Sequence, residues 1–230
     1  MRLLLTLTLL SLAPFAHAID RKEITEIDLN ALTIEGQVMT GGASDLALVW
    51  WIPSEFWEVS MRQEAMVSDE QVEQVMGVLR NHSVLAVVQA NVSPFGAFEF
   101  FEKDQIMEGL KVEIVRANGD VETISHTQPS DPDLRIMLDQ MRPILAQAMG
   151  SLGQNFYFFP LPDVDEDGDR LVSPYETGVI RVGLVNNDVP ATAELSLPLD
   201  SLFVPRLCPN GKPAHVSWNF CPWSGKKLKR

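Results

Sequence analysis

Leu46-Ala47-Leu48-Val49-Trp50-Trp51-Ile52-Pro53-Ser54-Glu55-Phe56-Trp57-Glu58 passes from an unbroken apolar run into a mixed aromatic and acidic one. Branched and aromatic residues dominate Leu46 to Ile52, which predicts a strand. Pro53 is tolerated in the first turn of a helix, so it predicts that a short helix follows at once. Strand and helix patterns are therefore interleaved from the start of the domain.

The three tryptophans of this stretch, Trp50, Trp51 and Trp57, have two interpretations. At a strand-to-helix turn they could line a pocket for a sugar or a small apolar ligand. They could instead form an aromatic core, because such side chains bury large areas, and this is the interpretation we favour. The spacing of Glu55 and Glu58 predicts that both carboxylates lie on one helix face, toward solvent.

Regular patterns continue on both sides of this stretch. Ser68 and Gln71 form a capping box that predicts a helix, and Asp131-Pro132 predicts the start of the longest helix. Asn118-Gly119 predicts a β-hairpin between two apolar runs. The predicted strands are Leu32 to Met39, Leu46 to Ile52, Ser83 to Val92, Phe95 to Phe101, Lys111 to Ala117, Val121 to Ser125, Asn155 to Pro160, Val179 to Val185 and Ala193 to Leu199.

The mixed order of these elements predicts an α+β fold over residues 19–204, with a mixed, largely antiparallel sheet packed against about three helices. A small ribbon-like tail at residues 205–230 follows this domain. The chain is 46% hydrophobic, a composition typical of a folded globular protein.

Residues 1–18 have the pattern of a secretory signal peptide. A positive start at Arg2 precedes an apolar run from Leu3 to Leu12, and Ala16-His17-Ala18 is a small-x-small cleavage site. No later segment approaches the roughly 20 apolar residues that a transmembrane helix needs. The sequence therefore predicts a secreted protein that begins near Ile19, most simply in the bacterial periplasm.

The charge balance is strongly acidic. Without Arg2, 17 basic residues face 31 acidic ones, a net charge of −14. Nucleic acid is not an expected partner, because phosphate binding relies on clustered Lys and Arg side chains. The one basic cluster, Lys226-Lys227-Leu228-Lys229-Arg230, is interpreted as a solvated tail, with contact to an anionic surface as the alternative.

Residues 163–176 are an acidic loop, and Asp165 to Glu176 resembles the twelve-residue calcium loop of an EF-hand. The resemblance implies a calcium site of weak affinity, on the order of 10⁻⁴ to 10⁻³ M, as in exported modules. The residues at its ligand positions are Asp165, Asp167, Asp169, Leu171 through its carbonyl, Ser173 through a water, and Glu176.

Three features of the loop depart from the EF-hand pattern. Arg170 stands where a sharp turn favours glycine, which predicts backbone strain and a positive charge beside the cation. The preceding segment is predicted as a strand, and the chain has no second copy of the loop. A loop that starts at Asp163 would put Gly168 at the turn but would lose the closing carboxylate. Alternatively, Ser173 and Glu176 form a capping box at the start of a short helix.

The only cysteines, Cys208 and Cys221, lie in two imperfect copies of the phrase C-P-x-C-G-x-x-L. Each copy keeps its first cysteine and lacks its second, whose place Ser224 takes in the second copy. Cys208 to Leu228 thus resembles a zinc ribbon in frame but not in ligands. In an exported chain the pair predicts a disulfide worth roughly 3 kcal/mol. Zinc and reduced cysteines are the less expected alternatives, and a zinc site of Cys208, Cys221 and His215 would need a fourth ligand.

No common catalytic motif is present: the chain lacks G-x-S-x-G, H-E-x-x-H, a Walker loop and a dinucleotide-binding glycine pattern. Our hypothesis is an exported, non-catalytic binding or envelope-associated protein with a weak calcium loop. Its partner would be an envelope protein or a small apolar or sugar ligand, and the oligomeric state is left open. An exported hydrolase with an aromatic-lined carboxylate site and a structural protein interaction module are the two alternatives.

Overall fold

The computed structural model describes residues 19–126, 132–165, 167–186 and 188–228. The predicted signal peptide and the predicted helix cap Asp131 lie outside these ranges. The helices are α1 (Leu29–Glu35), α2 (Ser54–Gln63), α3 (Asp69–Leu79), α4 (Lys103–Gly109), α5 (Pro132–Met149) and α6 (Ser151–Gln154). The strands are β1 (Gln37–Gly41), β2 (Asp45–Ile52), β3 (His82–Val92), β4 (Phe98–Phe100), β5 (Lys111–Arg116), β6 (Val121–Ile124), β7 (Tyr157–Pro162), β8 (Gly178–Asn186), β9 (Val189–Leu197), β10 (Arg206–Leu207) and β11 (Pro213–Ala214).

Two antiparallel sheets build the body, which we define as residues 19–204. In the first sheet the strand order is β1-β2-β3-β4, and β7 also pairs with β3. In the second sheet the order is β6-β5-β8-β9, and a separate hairpin of β10 and β11 lies in the tail, residues 205–230. Every pairing between these strands is antiparallel, which confirms the α+β class with a largely antiparallel sheet.

The first sheet is the middle layer of the body, because β2 and β3 bury side chains on both faces. Val49 and Trp51 point into a core that they share with the second sheet. Trp50 and Ile52, the alternate residues of the same strand, point into a second core with α3 and α5. A strand covered on both faces needs a continuous apolar run instead of an alternating one, which explains the run from Leu46 to Ile52.

Locally encoded elements form where the sequence predicts them. The capping box of Ser68 and Gln71 begins α3, with both reciprocal hydrogen bonds present. Asn118-Gly119 connects the paired strands β5 and β6, and Gly119 has φ +91°, which glycine adopts without steric cost.

The predicted strand from Leu32 to Met39 is wrong in its first half. Residues Leu29–Glu35 form α1, and only the following residues enter β1. The Asp28 carboxylate accepts hydrogen bonds from the backbone N–H groups of Asn30 and Ala31, at 2.9 and 3.2 Å. An aspartate at this position stabilises the first turn of a helix, and this cap decides the conformation of a segment whose apolar spacing is ambiguous.

Candidate functional site

The two buried carboxylates among the described residues, Glu55 and Asp163, meet the partly buried Arg170 in one ion cluster, which consists of these three residues. Glu55 lies in the first turn of α2, Asp163 follows β7, and Arg170 lies in the acidic loop. Arg170 Nη2 lies 2.9 Å from Glu55 Oε2, and Arg170 Nε lies 3.0 Å from Asp163 Oδ2. A second contact joins Arg170 Nη1 and Glu55 Oε1. The backbone N–H of Val172 donates to Asp163 Oδ1 at 3.1 Å.

The ion cluster contains two carboxylates but only one guanidinium. Asp163 is fully buried, and this burial raises its pKa to about 6 although Arg170 and the Val172 N–H both favour the ionised form. The pKa of Arg170 is raised by the two carboxylates despite its own burial, so the guanidinium stays charged. Burial therefore makes Asp163 easier to protonate than an exposed aspartate. The ring of Tyr175 is also half-buried near Glu55, and burial raises its pKa to about 12.

Glu55 does not face solvent, contrary to the prediction from its spacing with Glu58. It is 7% exposed and bound to Arg170, whereas Glu58 lies at the surface of the same helix and pairs with Arg62 at 2.9 Å. The three nearby tryptophans are core residues, as favoured: Trp51 lies between the sheets, and Trp50 and Trp57 lie under the helices.

The described surface cavities do not open onto these groups. Four cavities of about 640, 430, 240 and 670 Å³ are lined by residues other than the ion cluster and the body tryptophans. All oxygens of Glu55 and Asp163 have partners within the cluster or its backbone. The geometry supports a structural anchor that ties α2 to the acidic loop.

The first half of the acidic loop is a tight turn organised by Asp165. Its Oδ1 accepts hydrogen bonds from the backbone N–H groups of Asp167 and Asp169, at 3.0 and 2.8 Å. The sharp bend falls at Gly168, with φ +87°, so the strain expected at Arg170 is absent. Arg170 instead bridges to Val164 as extended backbone, which turns its side chain into the ion cluster.

The second half of the acidic loop lines a cavity and is not part of the turn that Asp165 organises. Leu171, Ser173 and Glu176 line the cavity of about 430 Å³, and the Leu171 carbonyl accepts a hydrogen bond from Arg116 at 3.4 Å. The predicted short helix is wrong, since residues 171–177 form bends and turns. Within the described residues, which omit Glu166, no three His, Cys, Asp or Glu side chains form a group that could hold a metal ion. The calcium loop therefore stays a prediction.

The tail is closed by a disulfide between Cys208 and Cys221, whose Cα atoms lie 5.6 Å apart. Each cysteine opens a turn of the same pattern. Cys208 N–H donates to the Lys212 carbonyl and Gly211 N–H to the Cys208 carbonyl, at 2.8 and 2.9 Å. Cys221 forms the equivalent pair with Lys226 and Gly225, at 2.8 Å each. Both sulfurs are used in the disulfide, so His215 has no thiolate partner for zinc and instead lies 2.7 Å from Ser217.

The body holds the tail through a few specific contacts. Val216 is buried in the core between the sheets, and its backbone N–H donates to Asp200 Oδ1 at 2.6 Å. Arg206 donates to the backbone carbonyls of Val216 and Trp218, so its charge serves the tail's own structure. The tail is thus a disulfide-closed unit that is attached to the body through Val216 and Asp200.

The tail carries exposed aromatic and basic side chains, and Trp218, Trp223 and Lys212 among them are linked by direct contacts. Trp218 and Trp223 are 40% and 52% exposed, and their rings lie edge to face with centroids 6.3 Å apart. The ammonium of Lys212 lies 5.1 Å from the centre of the Trp223 ring. Two further exposed lysines follow in the chain. We call this set the aromatic–basic surface: Lys212, Trp218, Trp223, Lys226 and Lys227.

The charge of the tail is opposite to that of the body. Residues 205–230 contain six of the chain's 18 basic residues and none of its 31 acidic ones. The sequence analysis identifies the basic cluster from Lys226 to Arg230, with contact to an anionic surface as the alternative, but it does not predict the exposed Trp218 and Trp223 that complete the aromatic–basic surface. The absence of any acidic residue over this stretch of a strongly acidic chain was the signal that could have revealed it.

No protein family model matches this chain, and no curated protein matches it. Among solved structures it is similar to a DUF4426 family protein from Pseudomonas aeruginosa, at 12% sequence identity and a TM-score of 0.34. The match covers 70% of this chain and 93% of that one. A likeness of this degree does not assign the chain to that family.

Proposed function

We propose that this chain is an exported, non-catalytic binding protein of the cell envelope that attaches to its partner through the tail. The aromatic–basic surface is the observation that carries this proposal. Exposed tryptophans are costly to leave in water, and Trp is among the residues most enriched where proteins bind. In this chain they lie beside basic groups on a unit that a disulfide holds closed.

Export is supported by two separate features of the chain. The first 18 residues have the signal-peptide pattern, and the two cysteines are joined, as they are in oxidising compartments outside the cytosol. Among the described residues no helix is long and apolar enough to cross a membrane.

The burial of two carboxylates, and their pairing with an arginine, favour a binding role over the hydrolase alternative. A general acid or base must reach the substrate, whereas Glu55 and Asp163 are buried and held by Arg170. The exported hydrolase would need a cleft in which these groups and the tryptophans Trp50 or Trp57 meet a ligand.

Cosedimentation with isolated cell envelopes tests the proposed function. The chain purified from Ile19 onward is mixed with envelopes of the producing cells, alongside a Trp218→Ala, Trp223→Ala double variant. We expect the intact chain to pellet and the double variant to stay in solution. Phe95→Ala is the matched control, because Phe95 is 99% exposed but lies on the body. Equal pelleting of all three proteins would overturn a tail-dependent attachment.

A weak calcium site in the acidic loop is a second proposal, supported by the direction of Arg170. Its guanidinium is turned into the ion cluster and bound by two carboxylates, so it does not oppose a cation beside Asp165, Asp167 and Asp169. Asp163 is occupied in the same cluster, which favours the register that starts at Asp165. Chelation by Glu176 requires the second half of the loop to move toward the first.

Isothermal titration calorimetry tests this second proposal. Millimolar calcium is expected to give a saturable heat with the intact chain and none with Glu176→Gln, whose amide cannot close the shell as a bidentate carboxylate. Glu194→Gln, which changes an exposed body carboxylate paired with Arg181, is the control. No calcium heat with the intact chain would reject the site.

A further inference from the structure

We propose that the partner of the aromatic–basic surface is the headgroup region of an anionic phospholipid bilayer. This inference rests on the proposed binding role of the tail and names its partner. The tail would lie on the bilayer surface without crossing it, with the indole rings at headgroup level and the lysine ammonium groups beside lipid phosphates.

The aromatic part of the surface matches the polarity gradient of a bilayer interface. Tryptophan concentrates at such interfaces because its ring is largely apolar while its N–H can still be hydrated. Trp218 and Trp223 lie in contact, both are substantially exposed, and the edge-to-face arrangement leaves no flat slot between them for a planar ligand. Phe220, 58% exposed, lies between them in the chain.

The basic part of the surface supplies the charge that an anionic bilayer attracts. Lys212, Lys226 and Lys227 are all exposed, and the Lys212 ammonium lies over the Trp223 ring, so at least one cation accompanies an exposed indole. Lys229 and Arg230 follow directly in the sequence. Clusters of four to eight basic residues beside apolar groups are typical of segments that bind anionic lipid.

The acidic body makes this contact directional. Residues 19–204 carry 11 of the chain's 18 basic residues but all 31 acidic ones. An anionic bilayer repels a surface with that balance and attracts the tail, so only one end of the molecule can approach the membrane. The closed disulfide and the seat of Val216 in the body fix that end as a unit.

A second copy of the chain is the competing occupant, since its acidic body also complements the tail. Such a contact joins two different surfaces and leaves each copy with one unused end, so it would extend into open chains of molecules. A bilayer covers the aromatic–basic surface of each copy without joining copies to one another. Light scattering of the protein without lipid separates the two occupants.

The test is flotation of the chain from Ile19 onward with unilamellar vesicles, either of phosphatidylcholine alone or of equal parts phosphatidylcholine and phosphatidylglycerol. We expect binding to the anionic vesicles, with a blue shift of tryptophan emission and weakening at high salt. Changing Lys212, Lys226 and Lys227 to Gln is expected to lower the partition coefficient about 100-fold, from about fivefold for each basic residue.

Charge removed elsewhere is the matched control. A variant with Arg80, Lys111 and Arg135 changed to Gln loses the same number of exposed basic groups from the body, and its binding is expected to be unchanged. If both triple variants lose binding equally, attraction is not specific to the tail and the inference fails.

The remaining outcomes separate this inference from the proposed function. Tail-dependent pelleting with envelopes but no flotation with anionic vesicles would overturn the lipid partner and leave the envelope role intact, with an acidic polymer or protein as its target. Large scattering particles without lipid that vanish in Trp218→Ala, Trp223→Ala would identify a second copy as the occupant. Absence of envelope and vesicle binding would reject both proposals.

Discussion

The body and the tail both combine tryptophans with charged side chains, but the tryptophans are buried in the body and exposed in the tail. In the body, Trp51 is fully buried, and Glu55, the charged residue nearest to it in sequence, is bound to Arg170. In the tail, Trp218 and Trp223 stay exposed and Lys212 lies over an indole ring. The body has two sheets and a helical layer to cover aromatic side chains, whereas the tail core is only Cys208, Ala214, Cys221 and Leu228.

Body and tail therefore differ in what their tryptophans and charged residues do. Unusual residues in the body are accounted for by packing and internal charge pairing, so their removal should affect folding. The same residue types in the tail have no internal role of that size, so their removal should affect binding.

Arg170→Ala is expected to have the largest effect on stability. It leaves Glu55 and Asp163 buried without a cation, and breaking a buried ion pair in this way costs about 3 to 5 kcal/mol. Urea unfolding at pH 7 measures the loss. Arg62→Ala is the control, because its partners Glu58, Asp69 and Glu73 are partly or largely exposed and surface pairs contribute under about 1 kcal/mol. Equal losses would show that the ion cluster is not buried as described.

Changing both Cys208 and Cys221 to Ser is expected to destabilise the tail by about 3 kcal/mol, since the disulfide closes a loop with a sequence separation of 13. Hydrogen exchange at the Cys208 and Leu228 positions should accelerate while exchange in β2 and β3 stays slow. The intact protein should contain no zinc. One equivalent of zinc that leaves in this variant would mean that the tail is a metal site after all.

The ion cluster also predicts a pH dependence of stability. The pKa of Asp163 is about 6 in the folded state and 3.8 in the reference state, so the folded state holds more protons between these values. Stability therefore falls as pH rises through 6, by about 1 kcal/mol between pH 5 and pH 7. Asp163→Asn should lack this slope in parallel urea titrations. A contribution that grows with pH would contradict the burial argument.

Local sequence patterns predict some elements of this fold and not others. The capping box at Ser68 and the hairpin at Asn118-Gly119 are encoded by neighbouring residues, and both were predicted correctly. The sequence pattern predicts a solvent-facing Glu55, because its partner Arg170 is 115 residues away and no local pattern indicates an ion pair between them. The helix α1 was missed because the cap at Asp28 outweighs an ambiguous apolar spacing.

The candidate site likewise has one feature that the sequence predicts and one that it does not. The disulfide followed from export and two cysteines, and it is confirmed. The exposure of Trp218 and Trp223 could not be predicted from residue type, because three other tryptophans of the same chain are buried. Exposure depends on how much structure surrounds a residue, and the short tail provides little.

The smallest effect on stability is expected for Trp218→Ala and Trp223→Ala, within about 0.5 kcal/mol for each, because both side chains are exposed and lie outside the tail core. Urea unfolding should be unchanged while vesicle and envelope binding are lost. A loss of several kcal/mol would place these rings in a core and remove them from the proposed binding surface.

Acrylamide quenching of tryptophan fluorescence tests the division between body and tail most directly. Trp50, Trp51 and Trp57 are at most 8% exposed, so the quenchable emission should come from Trp218 and Trp223 and should vanish when both are changed to Phe. Anionic vesicles should protect this quenchable emission in the intact protein. Quenching that persists in the Phe variant would contradict the burial of the body tryptophans, and quenching that vesicles leave unchanged while the protein is bound would contradict a lipid contact through Trp218 and Trp223.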